Sequence, residues 1–169
     1  ILDLKFLDPA CGSGVFLISI YEHLATQIES NLEKRNDVLP QRYLYEKDGK
    51  KYLNLEGRKL LVNQCLYGVD INPECVEVTK LSLSLKTIDG FEPGDFNNAG
   101  LYGSRILHGV GVNIKCGNSL VESDILERIP SIGKNIEEFR ATNVFDYKTA
   151  FSDVFSRGGF DYVIGNPPY

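Results

Sequence analysis

The sequence predicts an α/β fold, a parallel sheet wrapped by helices on both faces. Three observations lead there. Short apolar runs alternate with longer stretches of helical periodicity, each apolar run ends in a cluster of turn-forming residues, and each cluster carries polar groups suited to a ligand. In such sheets ligands bind beyond the carboxyl ends of the strands, where all four clusters fall.

The first strand is expected over Leu4 to Leu7, ending in Asp8-Pro9-Ala10-Cys11-Gly12-Ser13-Gly14. Val15, Leu17, Ile18, Tyr21, Leu24, Ala25, Ile28 and Leu32 then recur at helical spacing, which predicts a helix to about Arg35 with one apolar stripe. Beyond Pro40, Asp48-Gly49 lies between two aromatic-rich arms, Tyr43 to Lys47 and Lys50 to Leu53, the signature of a β-hairpin. A short helix is expected around Gly57 to Gln64, then a second strand over Cys65 to Ile71.

The stretch after Ile71 is ambiguous in pattern, because Val76, Val78, Leu81, Leu83 and Leu85 mostly alternate as in a strand. Asn72-Pro73 decides it: Asn caps a helix and Pro is pre-set for the first helical position, so a helix is predicted from Pro73 to Thr87. Residues 89 to 111 read as loop with one helical turn. A third strand, Val112 to Cys116, ends at Gly117-Asn118-Ser119-Leu120, and short helices are expected between Val121 and Asn143. A helical stripe through Tyr147, Ala150, Phe151, Val154 and Phe155 stops at Gly158-Gly159, and a fourth strand, Phe160 to Ile164, runs into Gly165-Asn166-Pro167-Pro168-Tyr169.

Composition sets the bounds. The 169 residues carry 18 Lys+Arg against 23 Asp+Glu, a formal charge of -5, with 43% hydrophobic residues. A chain of this size buries roughly 70% of the surface its unfolded form would expose, so one domain with a core is expected and disorder is not. Methionine is absent even at position 1 and the chain opens on an apolar run, Ile1 to Leu7, as expected of a piece cut from a longer polypeptide. No apolar stretch approaches the roughly 20 residues that cross a bilayer, and no signal-peptide pattern opens the chain, so a cytosolic setting is the expectation. Cys11, Cys65, Cys75 and Cys116 form no C-x-x-C pair and stand apart from His23 and His108, so buried thiols are expected and no metal site. The acidic balance argues against holding nucleic acid by charge alone, though not against a catalytic piece whose grip on DNA lies elsewhere.

Gly12 and Gly14 let backbone approach a ligand where a helix begins, or simply make a tight turn. The third glycine of the dinucleotide fingerprint is missing, because Leu17 stands there, which lowers the dinucleotide reading. Asp70 at a strand end suits the two hydroxyls of a ribose, and equally a solvated turn or support of the Asn72 cap. Asn118 offers an amide to an adenine edge, or serves its own turn. The last cluster is the most specific, since Asn-Pro-Pro-Tyr arises by composition with a chance on the order of one in a thousand in a chain this long. Two prolines fix an extended backbone, so the Asn166 side-chain oxygen and the Pro167 carbonyl can converge on one point beside the Tyr169 ring. Two acceptors by an aromatic platform suit a planar group bearing an NH2, such as an extruded adenine.

On these residues the chain resembles the S-adenosylmethionine-dependent amino-methyltransferases, most closely the DNA adenine-N6 methyltransferases of restriction-modification systems. The matching segments are Asp8 to Gly14 with Phe16, Gly68 to Pro73, Gly117 to Leu120, and Phe160 to Tyr169, in order across the whole chain. The resemblance implies a Rossmann-like methyltransferase fold, a partial sheet in the order 3-2-1-4 with an inserted hairpin. It implies S-adenosylmethionine as methyl donor, S-adenosylhomocysteine as product and no metal. Asp8, Pro9, Ala10, Cys11, Gly12, Gly14 and Phe16 would form the methionine side of the cofactor site, and Asp70 would take the ribose hydroxyls. Ile71 would pack on the cofactor adenine, and Asn118 with Ser119 would meet its polar edge, although family members often carry Asp at the Asn118 position. Asn166, Pro167, Pro168 and Tyr169 would form the catalytic motif, with Cys11 packing in its turn rather than reacting.

The same resemblance implies DNA as partner and a bacterial or archaeal cytoplasmic setting. It implies that residues 1–169 are the cofactor-binding part of a catalytic domain, inactive alone, without the target-recognition domain. The fourth strand would then be an exposed edge open to self-association. Glutamine-amide and RNA methyltransferases, or a non-catalytic nucleotide-binding module, are the competing expectations.

Overall fold

The computed structural model describes residues 1–34, 39–91, 108–121, 124–129, 137 and 142–166. Its centre is a four-stranded parallel sheet made of β1 (Phe6–Asp8), β4 (Leu66–Asp70), β5 (Ile114–Cys116) and β6 (Tyr162–Val163), in the spatial order β5-β4-β1-β6. That is the 3-2-1-4 order the family resemblance implies. Phe6 faces Leu66 on one side and Tyr162 on the other, and Gly68 faces Ile114.

Two cores flank the central strands β1 and β4, which bury residues on both faces, whereas β5 buries only Ile114 and both residues of β6 are exposed. On one face, Leu66 meets the stripe Leu17, Tyr21, Leu24, Ile28 and Leu32 of α1 (Val15–Lys34). Leu61 and Val62 of α2 (Leu55–Cys65) and Val76 and Leu83 of α3 (Pro73–Ile88) join this core. On the other face, Leu7, Tyr67 and Val69 pack against Phe145, Phe151 and Val154. Aromatic rings dominate there: Tyr67 meets Phe151 and Phe160 edge-on at centroid distances of 5.3 and 5.2 Å. Helices therefore cover both faces, and the polar strand ends are left at the rim.

The hairpin is β2 (Leu44–Lys47) and β3 (Lys50–Leu53), antiparallel, with Asp48 and Gly49 both at positive φ in its turn. It forms a sheet of its own and packs on α1. The helix after Asn72 forms as the capping chemistry requires, with the Asn72 side chain accepting from the Glu74 amide at 2.9 Å and Pro73 in the first turn.

Several boundaries differ from the expected ones, each for a local reason. The first strand is shifted, because Leu4 closes a turn onto the Ile1 carbonyl and Asp8 pairs with Gly68 inside the strand. α2 starts at Leu55 rather than Gly57, since the Asn54 side chain accepts from the Gly57 amide and sets the first turn earlier. β5 starts at Ile114 rather than Val112. Asn63 holds the approach in a turn, accepting from the Gly111 amide and, through its carbonyl, from the Asn113 side chain at 2.6 Å.

The expected helix through Tyr147 to Phe155 is two short ones, α5 (Tyr147–Ala150) and α6 (Ser152–Phe155), broken at Phe151, which leaves helical backbone to bury its ring. β6 covers only Tyr162–Val163, because Phe160 turns into the aromatic cluster and Asp161 accepts from the Lys5 amide at 2.7 Å. Earlier in the chain, between β5 and α5, α4 (Ile125–Arg128) is a single turn. Most of the predicted 89–111 loop, most of the predicted 121–143 helices, and Arg35 lie outside the described residues. Among the described residues no helix is long and apolar enough to cross a membrane.

Candidate functional site

Four turns meet at the carboxyl rim of the sheet, tied together by hydrogen bonds between residues far apart in sequence. Asp8 ends β1 with its side chain fully buried. Its Oδ1 accepts from the Ala10 amide at 3.1 Å, while Oδ2 is buried with no hydrogen-bond partner among the described residues. Burial raises the Asp8 pKa, the Ala10 amide opposes the rise, and the nearby Asp70 charge adds to it.

The Cys11 amide donates to the Val69 carbonyl at 2.9 Å and the Gly12 amide to Asp70 Oδ2 at 2.8 Å, which fastens the first turn to the end of β4. Gly12 and Gly14 both have positive φ, 53° and 85°, a conformation glycine adopts without the Cβ clash that other residues meet. Gly14 then opens α1, its carbonyl accepting from the Ile18 amide. Cys11 is buried, and its thiol is pushed up to about 12, chiefly by desolvation. It packs in the turn as expected and is no nucleophile at neutral pH.

Asp70 uses both carboxylate oxygens within the chain: Oδ2 for Gly12 and Oδ1 for the Asn72 amide at 2.9 Å. Structural support and ligand binding are compatible here, since a carboxylate offers about four lone-pair positions and two are taken. Ile71, next to it in the chain, is 55% exposed and Phe16 on the first turn of α1 is 44% exposed, so both apolar side chains are open to a ligand.

At the end of β5 the Gly117 amide donates to the Asp70 carbonyl, and the Asn118 amide to the Asn143 carbonyl. Asn118 Oδ1 accepts from the Leu120 amide at 3.1 Å, so its oxygen serves its own turn, while its NH2 group meets no partner among the described residues. Ser119 is part of the same turn. Gly117 is required because a Cβ there would collide with the Phe145 ring.

The fourth turn follows β6. The Ile164 amide donates to the Leu7 carbonyl at 2.8 Å, and Gly165 lies over Asp8 and Pro9. Asn166 comes next and is exposed, whereas Pro167, Pro168 and Tyr169 lie outside the described residues. Asp8 to Gly14, Asp70, Ile71, Asn118 and Asn166 thus belong to four turns joined at one rim. A cleft of about 390 Å³ between α3 and β5 is lined by Val76, Lys80, Val110 and Ile114, and includes none of Asp8, Asp70, Asn118 or Asn166. Among the described residues no group of three or more His, Cys, Asp or Glu side chains is placed to hold a metal ion.

One residue of the site was not anticipated. Thr79 of α3 is fully buried and donates its hydroxyl to the Gly12 carbonyl at 2.7 Å. The signal was present: Val76, Thr79, Leu83 and Thr87 form the buried stripe of α3, and a hydroxyl on such a stripe needs a partner.

The profile of the Eco57I restriction-modification methylase family matches residues 64–169, well over half of the chain. The chain belongs to this family. Among relatives of the Eco57I family protein, the type II restriction enzyme and methyltransferase RM.Eco57I of Escherichia coli is 28% identical over 169 residues, all of this chain and 15% of the relative. DNA methyltransferase A of Bacillus subtilis is 31% identical over 168 residues, 98% of this chain and 15% of the relative. Adenine-specific methyltransferase PglX of Streptomyces coelicolor is 24% identical over 99% of this chain and 12% of the relative. The Eco57I family chain therefore spans about 15% or less of the length of these relatives.

Proposed function

We propose that this chain is the cofactor-binding part of a restriction-modification DNA methyltransferase, which transfers a methyl group from S-adenosylmethionine to adenine N6. The observation that carries the reading is the convergence of the four turns on one rim, with two carboxylates, Asp8 and Asp70, and a buried oxygen, Asp8 Oδ2, that has no partner among the described residues. Such a rim favours a cationic ligand and disfavours the pyrophosphate of a dinucleotide. S-adenosylmethionine carries an ammonium and a sulfonium, and so fits these acceptors. The names of the relatives, a DNA methyltransferase and an adenine-specific methyltransferase among them, support the substrate class.

In this reading the turn from Asp8 to Gly14 holds the methionine end, and Asp70 accepts from the ribose hydroxyls with its remaining lone pairs. Ile71 covers the cofactor adenine, and Asn118 donates its NH2 group to that adenine's ring edge, its oxygen being taken by Leu120. S-adenosylmethionine, when bound, supplies an electrophilic methyl on its sulfonium. Asn166 and the Pro167 carbonyl accept from the two N–H bonds of the target amine, with Tyr169 against the flipped base. Those acceptors draw the amine lone pair out of the ring and toward a tetrahedral geometry that can attack. Catalysis is then positioning and electrostatics, with no cysteine involved.

Titration calorimetry tests the cofactor half: S-adenosylmethionine is expected to bind and NAD is not, and the reverse would sink the reading. For the substrate half, the encoded polypeptide is expressed in a host lacking adenine methylation. N6-methyladenine is expected in the genomic nucleosides by mass spectrometry and is expected to vanish with Asn166→Ala. Methylated glutamine in host protein without methylated adenine would point to the amide-methylating class instead.

A further inference from the structure

We infer that Thr79 is a positioning residue of the cofactor site, which aims the Ser13 amide at the carboxylate of the cofactor's methionine end. The inference rests on the S-adenosylmethionine reading and adds to it a residue from α3, outside the four turns. Three observations carry it.

First, the Gly12 residue is clamped from two sides: its N–H by Asp70 Oδ2 at 2.8 Å, its C=O by the Thr79 hydroxyl at 2.7 Å. Second, the Thr79 methyl occupies the space beside Gly14, where a Cβ would stand 2.8 Å from Thr79 Cγ2. The hydroxyl and the methyl of one buried side chain thus hold both glycines of the turn. Third, the carbonyl that Thr79 binds belongs to the peptide joining Gly12 to Ser13. In a trans peptide the C=O and N–H point in opposite directions, and this chain has no cis bond among the described residues. Drawing the Gly12 carbonyl toward α3 therefore turns the Ser13 N–H away from α3, on an exposed residue, and that N–H meets no partner among the described residues. An unpaired amide at the start of a long helix donates to a carboxylate.

The hydroxyl sets the direction of the Gly12–Ser13 peptide, whereas the methyl only fills space beside Gly14, so Thr79→Val and Thr79→Ser separate the two. The ligands are S-adenosylhomocysteine, which has the amino-acid end, and 5′-methylthioadenosine, which keeps the adenosine and lacks that end. Calorimetry on the 169-residue chain is accompanied by thermal denaturation of each variant. Thr79→Val is expected to weaken S-adenosylhomocysteine about tenfold, the worth of one hydrogen bond, and to leave 5′-methylthioadenosine unchanged. Thr79→Ser is expected to bind both like the parent.

Equal losses for both ligands in Thr79→Val, or no loss for either, would overturn the inference and leave Thr79 a core residue. So would a Ser variant as weak as the Val variant. Should the Val variant fail to fold, Thr79→Ala against Thr79→Ser makes the same comparison. A folded parent chain that binds neither ligand would instead refute the cofactor reading itself, and the Thr79 inference with it.

Discussion

Gly165 stands directly against Asp8: a Cβ at Gly165 would lie 2.7 Å from Asp8 Oδ1 and 3.2 Å from Pro9 Cδ. The turn that leads into Asn166 and the turn that opens the glycine run are thereby in van der Waals contact, so a disturbance of one reaches the other. Gly165→Ala is expected to cost about 1 to 3 kcal/mol of stability, as overpacking does. It should lower DNA methylation by the encoded polypeptide more than it lowers cofactor affinity, because Asn166 is the neighbour displaced. Thermal denaturation and calorimetry read the two effects, and an alanine variant as stable as the parent would remove the contact from the argument.

The buried Asp8 carboxylate gives a pH signature. Its folded-state pKa is raised by burial, so in the window between the unfolded value near 4 and the raised folded value the native state holds more proton than the unfolded state. Stability therefore falls as pH rises through that window, and the full penalty is present above it. Asp8→Asn keeps the acceptor for Ala10 and removes the charge. The variant is expected to melt higher than the parent at pH 7, with the gap closing as pH is lowered toward 4, while losing affinity for S-adenosylmethionine. A gap that persists unchanged at pH 4 would assign the gain to something other than ionisation.

Asp70→Ala removes the partner of both the Gly12 and the Asn72 amides. It is expected to lower the melting temperature and to weaken cofactor binding by about 1 to 3 kcal/mol. Because the turn and the ligand share this carboxylate, the two losses should appear together; calorimetry showing unchanged affinity would take Asp70 out of the site.

The thiols should divide into two classes. Cys11 and Cys65 are buried with thiols raised to about 12 and about 11, so alkylation at pH 8 should leave them intact until the protein is unfolded. Cys116 is exposed at the end of β5 and should be modified in the native state. Peptide mass spectrometry after brief iodoacetamide treatment distinguishes the two, and rapid native labelling of Cys11 would contradict the packing of the glycine turn.

The alternation of strands and helices, the hairpin and the α3 helix were legible in local signals, namely short apolar runs, Asp48-Gly49 and Asn72-Pro73, whereas the strand order came from the family resemblance. The placement of Asp70, Asn118 and Asn166 at one rim followed from topology alone, since parallel strands align their ends. What escaped was set by contacts between distant segments. Asn63 shortens β5 from across the fold, Phe151 breaks a helix to reach Tyr67, and Thr79 reaches Gly12 from another helix. Phe151 and Thr79 sit on periodic stripes, but the partner each one reaches has no local signal, and the double use of Asp70 could be foreseen only as alternatives.

The position of β1 in the middle of the sheet also bears on how the molecule comes to be folded. Phe6 pairs with Leu66 on one side and Tyr162 on the other, so the first strand made acquires its second neighbour only when nearly the whole described chain exists. Contacts this distant in sequence close slowly, and during synthesis β1 waits with an unpaired edge while α1 and the hairpin, whose contacts are local, can already form. Asp8 acquires Gly165 as a neighbour in that same final step. Pairing β6 with β1 and bringing the fourth turn to the rim are one event, so chains that lack this pairing are expected to possess the helices and lack the four-turn site.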